Sequence, residues 1–259
     1  LDILAVRNTF NWASKTHNTI PKFISVSLNN YKVIGNEVLE GKPSTIYGVT
    51  KSIPFEYFSM KTKAYHVDLS SKDLDNKHAI IPIIFQNNNK DLIAVRVDYQ
   101  WFPRYQQSVS SNNNKINSNT SECDNPVFLI TGGLGGVGYS YANYLTQKNK
   151  ASTIILLGRT IKNNLRKDYK TRLEKLLKTK HKFIYSAIDI GSTHAVDYIR
   201  KICLEKGITM IETVLHSAGI GAKKATENKT HDDIARVVNP KILGVNNLLQ
   251  LSESIKINY

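Results

Sequence analysis

Cysteine, methionine and tryptophan are scarce in this chain of 259 residues, which holds two of each. Cys123 and Cys203 fall in no paired or metal-ligand spacing, so neither a disulfide scaffold nor a zinc module is expected, and a reducing, cytoplasmic setting is. The seven histidines are scattered without zinc-like intervals, and no metal is expected. No stretch approaches the roughly 20 apolar residues of a membrane span, and no secretory leader opens the chain, so no membrane role is expected. Acid is short too: 21 Asp and Glu against 35 Lys and Arg leave a net charge of +14. A surface of that sign attracts anions, yet no nucleic-acid motif accompanies it. The densest basic stretch, Arg159 to Lys182, reads as a solvated helix face. The chain opens at Leu1, without Met, on an apolar segment, and reads as a piece of a longer polypeptide.

What is present is a hydrophobic content of 41%, enough for a real core, and one stretch that dominates the reading: Thr131-Gly132-Gly133-Leu134-Gly135-Gly136-Val137-Gly138. Four apolar residues, Val127 to Ile130, precede it and read as a buried strand. Tyr139 to Gln147 follow and read as a helix. Strand, glycine-rich turn and helix in that order build a phosphate cradle. Glycine permits the tight turn and close approach, while the free N–H groups and dipole of the helix start favour negative charge. The octapeptide satisfies both G-x-G-x-x-G (Gly133, Gly135, Gly138) and T-G-x-x-x-G-x-G.

Ser152 to Leu157 read as a second parallel strand, ending at Gly158-Arg159. An acidic residue here would bond the ribose 2′-OH of NAD, whereas arginine suits a 2′-phosphate, so Arg159, about 20 residues past Gly138, favours NADP.

From these residues on, the chain resembles a short-chain dehydrogenase/reductase, and more narrowly the ketoreductase domain of a type I polyketide synthase or animal-type fatty acid synthase. The match to the family's loop is followed by Asp189-Ile190 after a third strand (Phe183 to Ile188), similar to the pair that contacts adenine. His216-Ser217-Ala218-Gly219, after a fourth strand (Thr213 to Leu215), resembles the H-A-A-G segment along the cofactor. Pro240-Lys241-Ile242-Leu243-Gly244 resembles the family's P-K-x-x-G, which makes Lys241 a catalytic residue by resemblance. Its place is expected at a helix start with Asn239 as N-cap. Tyr141 and Tyr144 are expected to pack the helix after the loop.

The resemblance implies NADPH-dependent reduction of the β-keto group of an acyl chain carried as a thioester on an acyl carrier protein, with other synthase domains in the same polypeptide. Family members add a serine, a tyrosine and an asparagine C-terminal to the lysine motif, beyond Tyr259 here, so these 259 residues are expected to hold much of a cofactor site without a complete catalytic set. Tyr259 itself lies too close to Lys241 to be that tyrosine. The L-D-D motif of many members is replaced by Ile220-Gly221-Ala222-Lys223-Lys224, which disfavours one alcohol configuration. A free-standing short-chain dehydrogenase, or an incomplete fragment that only binds cofactor or scaffolds, are the alternatives.

The expected architecture is α/β: a Rossmann-like doubly wound parallel sheet over 126–259, a polar flexible linker over 106–125, and a partial, cofactor-free Rossmann-like structural subdomain over 1–105. In that first part, Lys22 to Leu28, Ala64 to Leu69 and Leu92 to Val97 read as strands. Pro43 to Met60 read as a helix and a shorter second piece, and Asn76 to Phe85 as a helix interrupted at Pro82. For Leu1 to Asn11, periodicity does not choose between helix and strand. Ile46 to Lys51, Tyr65 to Leu69 and Val95 to Arg104 resemble motifs of the family's bracing region.

Overall fold

The computed structural model describes residues 3–16, 22–39, 45–57, 62–75, 77–85, 90–97, 99–107, 125–148, 152–221 and 224–258. Most of the expected linker (108–124, with Cys123) lies outside them, as do Pro43, 58–60, Asn76, Ala222, Lys223 and Tyr259. The chain divides into two compact units, Leu1–Ser110 with Lys224–Thr230, and Ser111–Lys223 with His231–Tyr259.

The first unit runs α1 (Ile3–Thr16), β1 (Phe23–Leu28), α2 (Thr45–Glu56), β2 (Ala64–Leu69), α3 (Lys77–Phe85), β3 (Leu92–Arg96) and β4 (Tyr99–Trp101). Its sheet has the order β1-β2-β3-β4, parallel except for the last strand. Helical crossovers α2 and α3 join the parallel strands, as parallel pairing demands. The opening apolar segment is helix. Two expectations are corrected. Pro43 to Met60 hold one described helix, not two pieces, because Pro54 sits in its last turn, where the hydrogen bond it forgoes is among the last the helix makes. Pro82 likewise stays inside α3.

The alternation in β2 divides its side chains between two environments. Tyr65, Val67 and Leu69 join Ile93, Val95 and residues of α3 in an apolar cluster. His66 and Asp68 are equally buried, and the polar side chains satisfy one another. His66 Nδ1 meets Ser25 Oγ at 2.7 Å and Nε2 meets Ser27 Oγ at 2.8 Å. Ser25 continues to Thr50 at 2.6 Å, and Ser27 donates to Asp68 at 2.6 Å. Arg96, 1% exposed, donates to Asp68 at 2.6 Å and to Glu37 at 3.1 Å. Its remaining donors reach the carbonyls of Asp68, Val95 and Tyr31. An arginine this deep is tolerable because its charge is paired and its donors are used.

In the same unit, Lys224–Thr230 is held to α1 and α2. Glu56 accepts from Thr226 N–H at 2.5 Å and pairs with Lys229 at 3.6 Å, and Arg7 donates to the Lys229 carbonyl at 2.5 Å.

The second unit runs β5 (Val127–Thr131), α4 (Gly136–Thr146), β6 (Thr153–Gly158), α5 (Lys167–Leu177), β7 (Lys182–Ala187), α6 (Ala195–Glu205), β8 (Met210–Ile211), β9 (Thr213–His216), α7 (His231–Ser252) and β10 (Lys256–Ile257). The parallel order is β7-β6-β5-β9. Only Glu212 separates β8 from β9, and β10 pairs with β8 in parallel, so the β8–β9 line has β5 and β10 as its two neighbours. The central strands β5 and β6 are buried on both faces. Leu129, Ile155 and Leu157 pack against Ile199, Cys203 and Leu251 of α6 and α7. Ile130, Ile154 and Leu156 pack against Ala142, Leu145, Leu173 and Leu176 of α4 and α5.

Two further expectations are corrected here. Helix α4 begins at Gly136, three residues before the expected start, because the last loop glycines already have helical geometry. Helix α7 runs unbroken from His231, so Asn239 is no N-cap and Lys241 is not at a helix start. Asp232 and Asp233 in its first turn suit the positive end of the dipole. Tyr139 and Tyr141 border the core, whereas Tyr144 lies outside it, 48% exposed and stacked on Tyr141.

Candidate functional site

The strands of the second unit end at one cleft, where the chain order reverses on either side of β5. That is where open α/β sheets take ligands. Thr131, Gly132, Leu134, Gly135, Arg159, Asp189, Ile190, Ser217, Ala218 and Gly219 all line it. Pro240 of the P-K-x-x-G stretch lines it too, as do Tyr169 and Tyr185, which no sequence signal marked.

The glycines have distinct reasons to be glycine. Gly132 has φ +63°, and a Cβ there would lie 2.8 Å from the Ser217 carbonyl oxygen. A Cβ on Gly138 would meet the Gly132 oxygen at 2.4 Å and Ser217 Oγ at 2.9 Å, so this residue packs beneath the loop and does not line the cleft. Gly133 is pressed against Leu156. Gly136 and Val137 open helix α4, and a Cβ on Gly136 would touch nothing within 4 Å. The helix has Gly135 as N-cap and no side-chain cap, which leaves its first N–H groups for an external acceptor. A left-handed glycine turn, an uncapped helix start and an open cleft beside it fit a dinucleotide diphosphate.

Thr131 is the hub behind the cleft. Its Oγ1 accepts from the N–H groups of Ser217 and Ala218, both at 3.1 Å, and meets His216 Nδ1 at 2.8 Å. A hydroxyl with both lone pairs occupied gives its proton outward. His216 Nδ1 is therefore the acceptor, and Nε2–H donates to the Pro240 carbonyl at 3.0 Å. The His216 ring thus ties β5 and β9 to α7, while Ser217, Ala218 and Gly219 face the cleft. Ser217 Oγ donates to the Thr131 carbonyl at 2.6 Å. The P-K-x-x-G spacing acquires a physical reason: a Cβ on Gly244 would sit 2.9 Å from His216 Cε1.

At the far end of the cleft, Arg159 and Asp189 are both exposed. Asp189 Oδ1 accepts from Gly191 N–H at 3.0 Å, which shapes the turn after β7. Asn247 of α7 holds the same turn through the carbonyls of Ile190 and Ser192, at 2.7 and 2.8 Å. The Lys241 side chain reaches toward Gly219: a Cβ built on Gly219 would have Lys241 Cε as its neighbour at 3.9 Å. Pro240 beside it lines the cleft, so α7 presents the lysine next to the segment after β9.

The KR domain family model matches residues 126–259. Polyketide synthase PksM of Bacillus subtilis is 30% identical over 154 residues, which cover 56% of this chain and 3% of that protein. The 6-methylsalicylic acid synthase of Aspergillus niger is 32% identical over 132 residues, covering 47% of this chain and 7% of that one. The chain therefore spans only a small part of these relatives. The crystal structure of a ketoreductase domain from the bacillaene assembly line superposes with a TM-score of 0.75 at 19% identity, covering 98% of this chain and 56% of that one, a likeness of fold.

Proposed function

The chain belongs to the KR domain family, as a ketoreductase domain of the type I polyketide synthase kind, and on that footing we propose that it binds NADPH in the β5–β6–β9 cleft and serves the reduction of a β-keto group on an acyl chain carried by an acyl carrier protein. The observation that carries the reading is the uncapped, glycine-lined start of α4 opening beside that cleft. When bound, the cofactor supplies the hydride.

The chain's own residues divide the remaining work. Gly132, Gly135 and the first N–H groups of α4 receive the diphosphate. Arg159 takes the 2′-phosphate, and Asp189 and Ile190 border the adenine. The Ser217-Ala218-Gly219 backbone, pinned by Thr131, flanks the nicotinamide end. Lys241 adds a cation there, which lowers the pKa of a neighbouring tyrosine hydroxyl that donates the proton. By family resemblance that tyrosine, with its serine and asparagine, follows residue 259, in a polypeptide that carries further synthase domains.

Calorimetric titration of the 259-residue chain is expected to give saturable NADPH binding without β-ketoacyl thioester reduction above background. A polypeptide extended through the Ser, Tyr and Asn positions is expected to turn over. Absence of NADPH binding would overturn the proposal. Arg159→Ala is expected to weaken NADPH much more than NADH, by about tenfold or more for a lost charge-assisted contact; equal losses would refute the role of Arg159.

A further inference from the structure

Arg172, on α5, turns back toward the glycine loop from outside the cleft. Its guanidinium donates to the Leu134 carbonyl at 2.7 Å. It lies 5.2 Å from the ring centre of Tyr139 and 5.5 Å from that of Tyr169. Tyr169 is covered in turn by Arg166 at 4.5 Å. The side chain is half-buried and does not line the cleft.

The consequence lies in one peptide unit. The plane joining Leu134 to Gly135 is held at both ends: Gly135 N–H donates to the Gly132 carbonyl at 2.8 Å, and the Leu134 carbonyl accepts from Arg172. Glycine on one side makes rotation of that plane sterically cheap. A flip would turn the Leu134 carbonyl against the Gly132 carbonyl and undo the turn that starts α4. The Arg172 fork, planar and fixed between two aromatic rings, opposes that flip in a way a lone ammonium does not. Leu134 itself is 3% exposed, so its side chain anchors the same peptide from the core.

We infer that Arg172 is a positioning residue for the cofactor diphosphate, acting through the Leu134 carbonyl to keep the glycine loop in its binding shape. The inference rests on the cofactor reading above and differs from the role of Arg159, because the diphosphate is common to NADPH and NADH whereas the 2′-phosphate is not.

The test titrates the wild-type chain, Arg172→Met and Arg172→Lys with NADPH, NADH and adenosine 2′-monophosphate, which has no diphosphate. Arg172→Met is expected to weaken NADPH and NADH by the same factor, about tenfold for a lost charge-assisted hydrogen bond, and to leave adenosine 2′-monophosphate within about twofold. Arg172→Lys keeps the charge but not the fork, and is expected to lose about threefold for both dinucleotides. Unchanged NADPH affinity in either variant overturns the inference. So does a loss confined to NADPH, which would mean contact with the 2′-phosphate, or an equal loss for all three ligands, which would mean a damaged fold. If Arg172→Met does not fold, the same three-ligand pattern in Arg172→Lys decides. A wild-type chain that takes up none of the ligands sinks the cofactor reading and this inference together, whereas wild-type binding with an indifferent Arg172→Met sinks the inference alone.

Discussion

At the scale of single residues, the site depends on where a side chain is impossible. Gly138 and Gly136 stand two positions apart, both in the first turn of α4, yet their surroundings are opposite. A methyl on Gly138 collides with backbone atoms at 2.4 and 2.8 Å, and backbone cannot swing aside as a flexible side chain can. Gly138→Ala is therefore expected to destabilise the chain by about 1–3 kcal/mol and to abolish NADPH binding, whereas Gly136→Ala is expected to leave thermal stability unchanged. Melting curves and NADPH titration of the two variants check this. His216 belongs to the same scale. With Thr131 Oγ1 saturated by two N–H donors, the ring is fixed as the Nε2–H tautomer. Nitrogen-15 NMR of the ring is expected to show a protonated Nε2 and an unprotonated Nδ1; the reverse would mean that the Thr131 hydroxyl points elsewhere. His216→Leu strands a hydroxyl and a carbonyl, a cost of about 1–3 kcal/mol for each group left unpaired.

At the scale of elements, β1, β2 and β3 enclose a polar chain where a sheet ordinarily holds hydrocarbon. His66 is pushed down to about 4 by burial, with Asp68 acting in the opposite sense. Burial by itself would raise Glu37, but the N–H groups of Ile34, Val33 and Gly35 more than reverse this and hold it at about 2. In the unfolded chain, His66 takes up a proton near 6.5 and Glu37 near 4.5. Between about pH 6.5 and 4 the unfolded state thus binds the extra proton at His66, and stability falls as the pH falls, by on the order of 3 kcal/mol across the window. Below about 4.5, Glu37 adds a loss of the same sign, since its depressed carboxyl stabilises only while ionised. Denaturant melts of the wild type and His66→Asn from pH 7 to 4 are expected to show a steep acid slope in the first and a shallower one in the second; parallel slopes would exclude His66 as the titrating group. In the β3–β4 hairpin, Val97 holds φ +49°, a conformation that β-branched side chains resist. Val97→Asn is expected to raise stability by about 0.5–1 kcal/mol, measurable as an increase in melting temperature.

At the scale of the whole molecule, the net charge of +14 matters to ligands more than to fold. Ten Lys and Arg against two acidic residues fall between Arg159 and Lys182, a segment that includes one wall of the cleft and helix α5. Added salt is expected to weaken NADPH more steeply than NADH, because the extra phosphate is the more strongly screened partner. Titrations of both ligands over a salt series check this, and equal slopes would argue against a local cationic contribution. Among the described residues, no helix is long and apolar enough to cross a membrane.

Much of the second unit was legible in the chain itself. Buried parallel strands announce themselves as unbroken apolar runs, and the glycine octapeptide as a turn between strand and helix; both are local signals. The first unit was legible as strands and helices but not as a polar core: nothing in A-Y-H-V-D-L says that His66 and Asp68 are buried, since their partners Ser25, Ser27 and Arg96 lie far along the chain. At Pro240 the local signal is a helix start, yet helix α7 runs through it, with Leu248 and Leu251 packed in the core beyond. The amino-acid order alone determined the strand types, the glycine-rich turn between β5 and α4, and the candidate set from Thr131 to Lys241. Only the tertiary structure decided that His216 bonds Thr131 and Pro240, that Gly138 lies under the loop, and that Arg172 holds Leu134, because each of these contacts joins residues whose approach is set by packing across the sheet and not by their spacing in the chain.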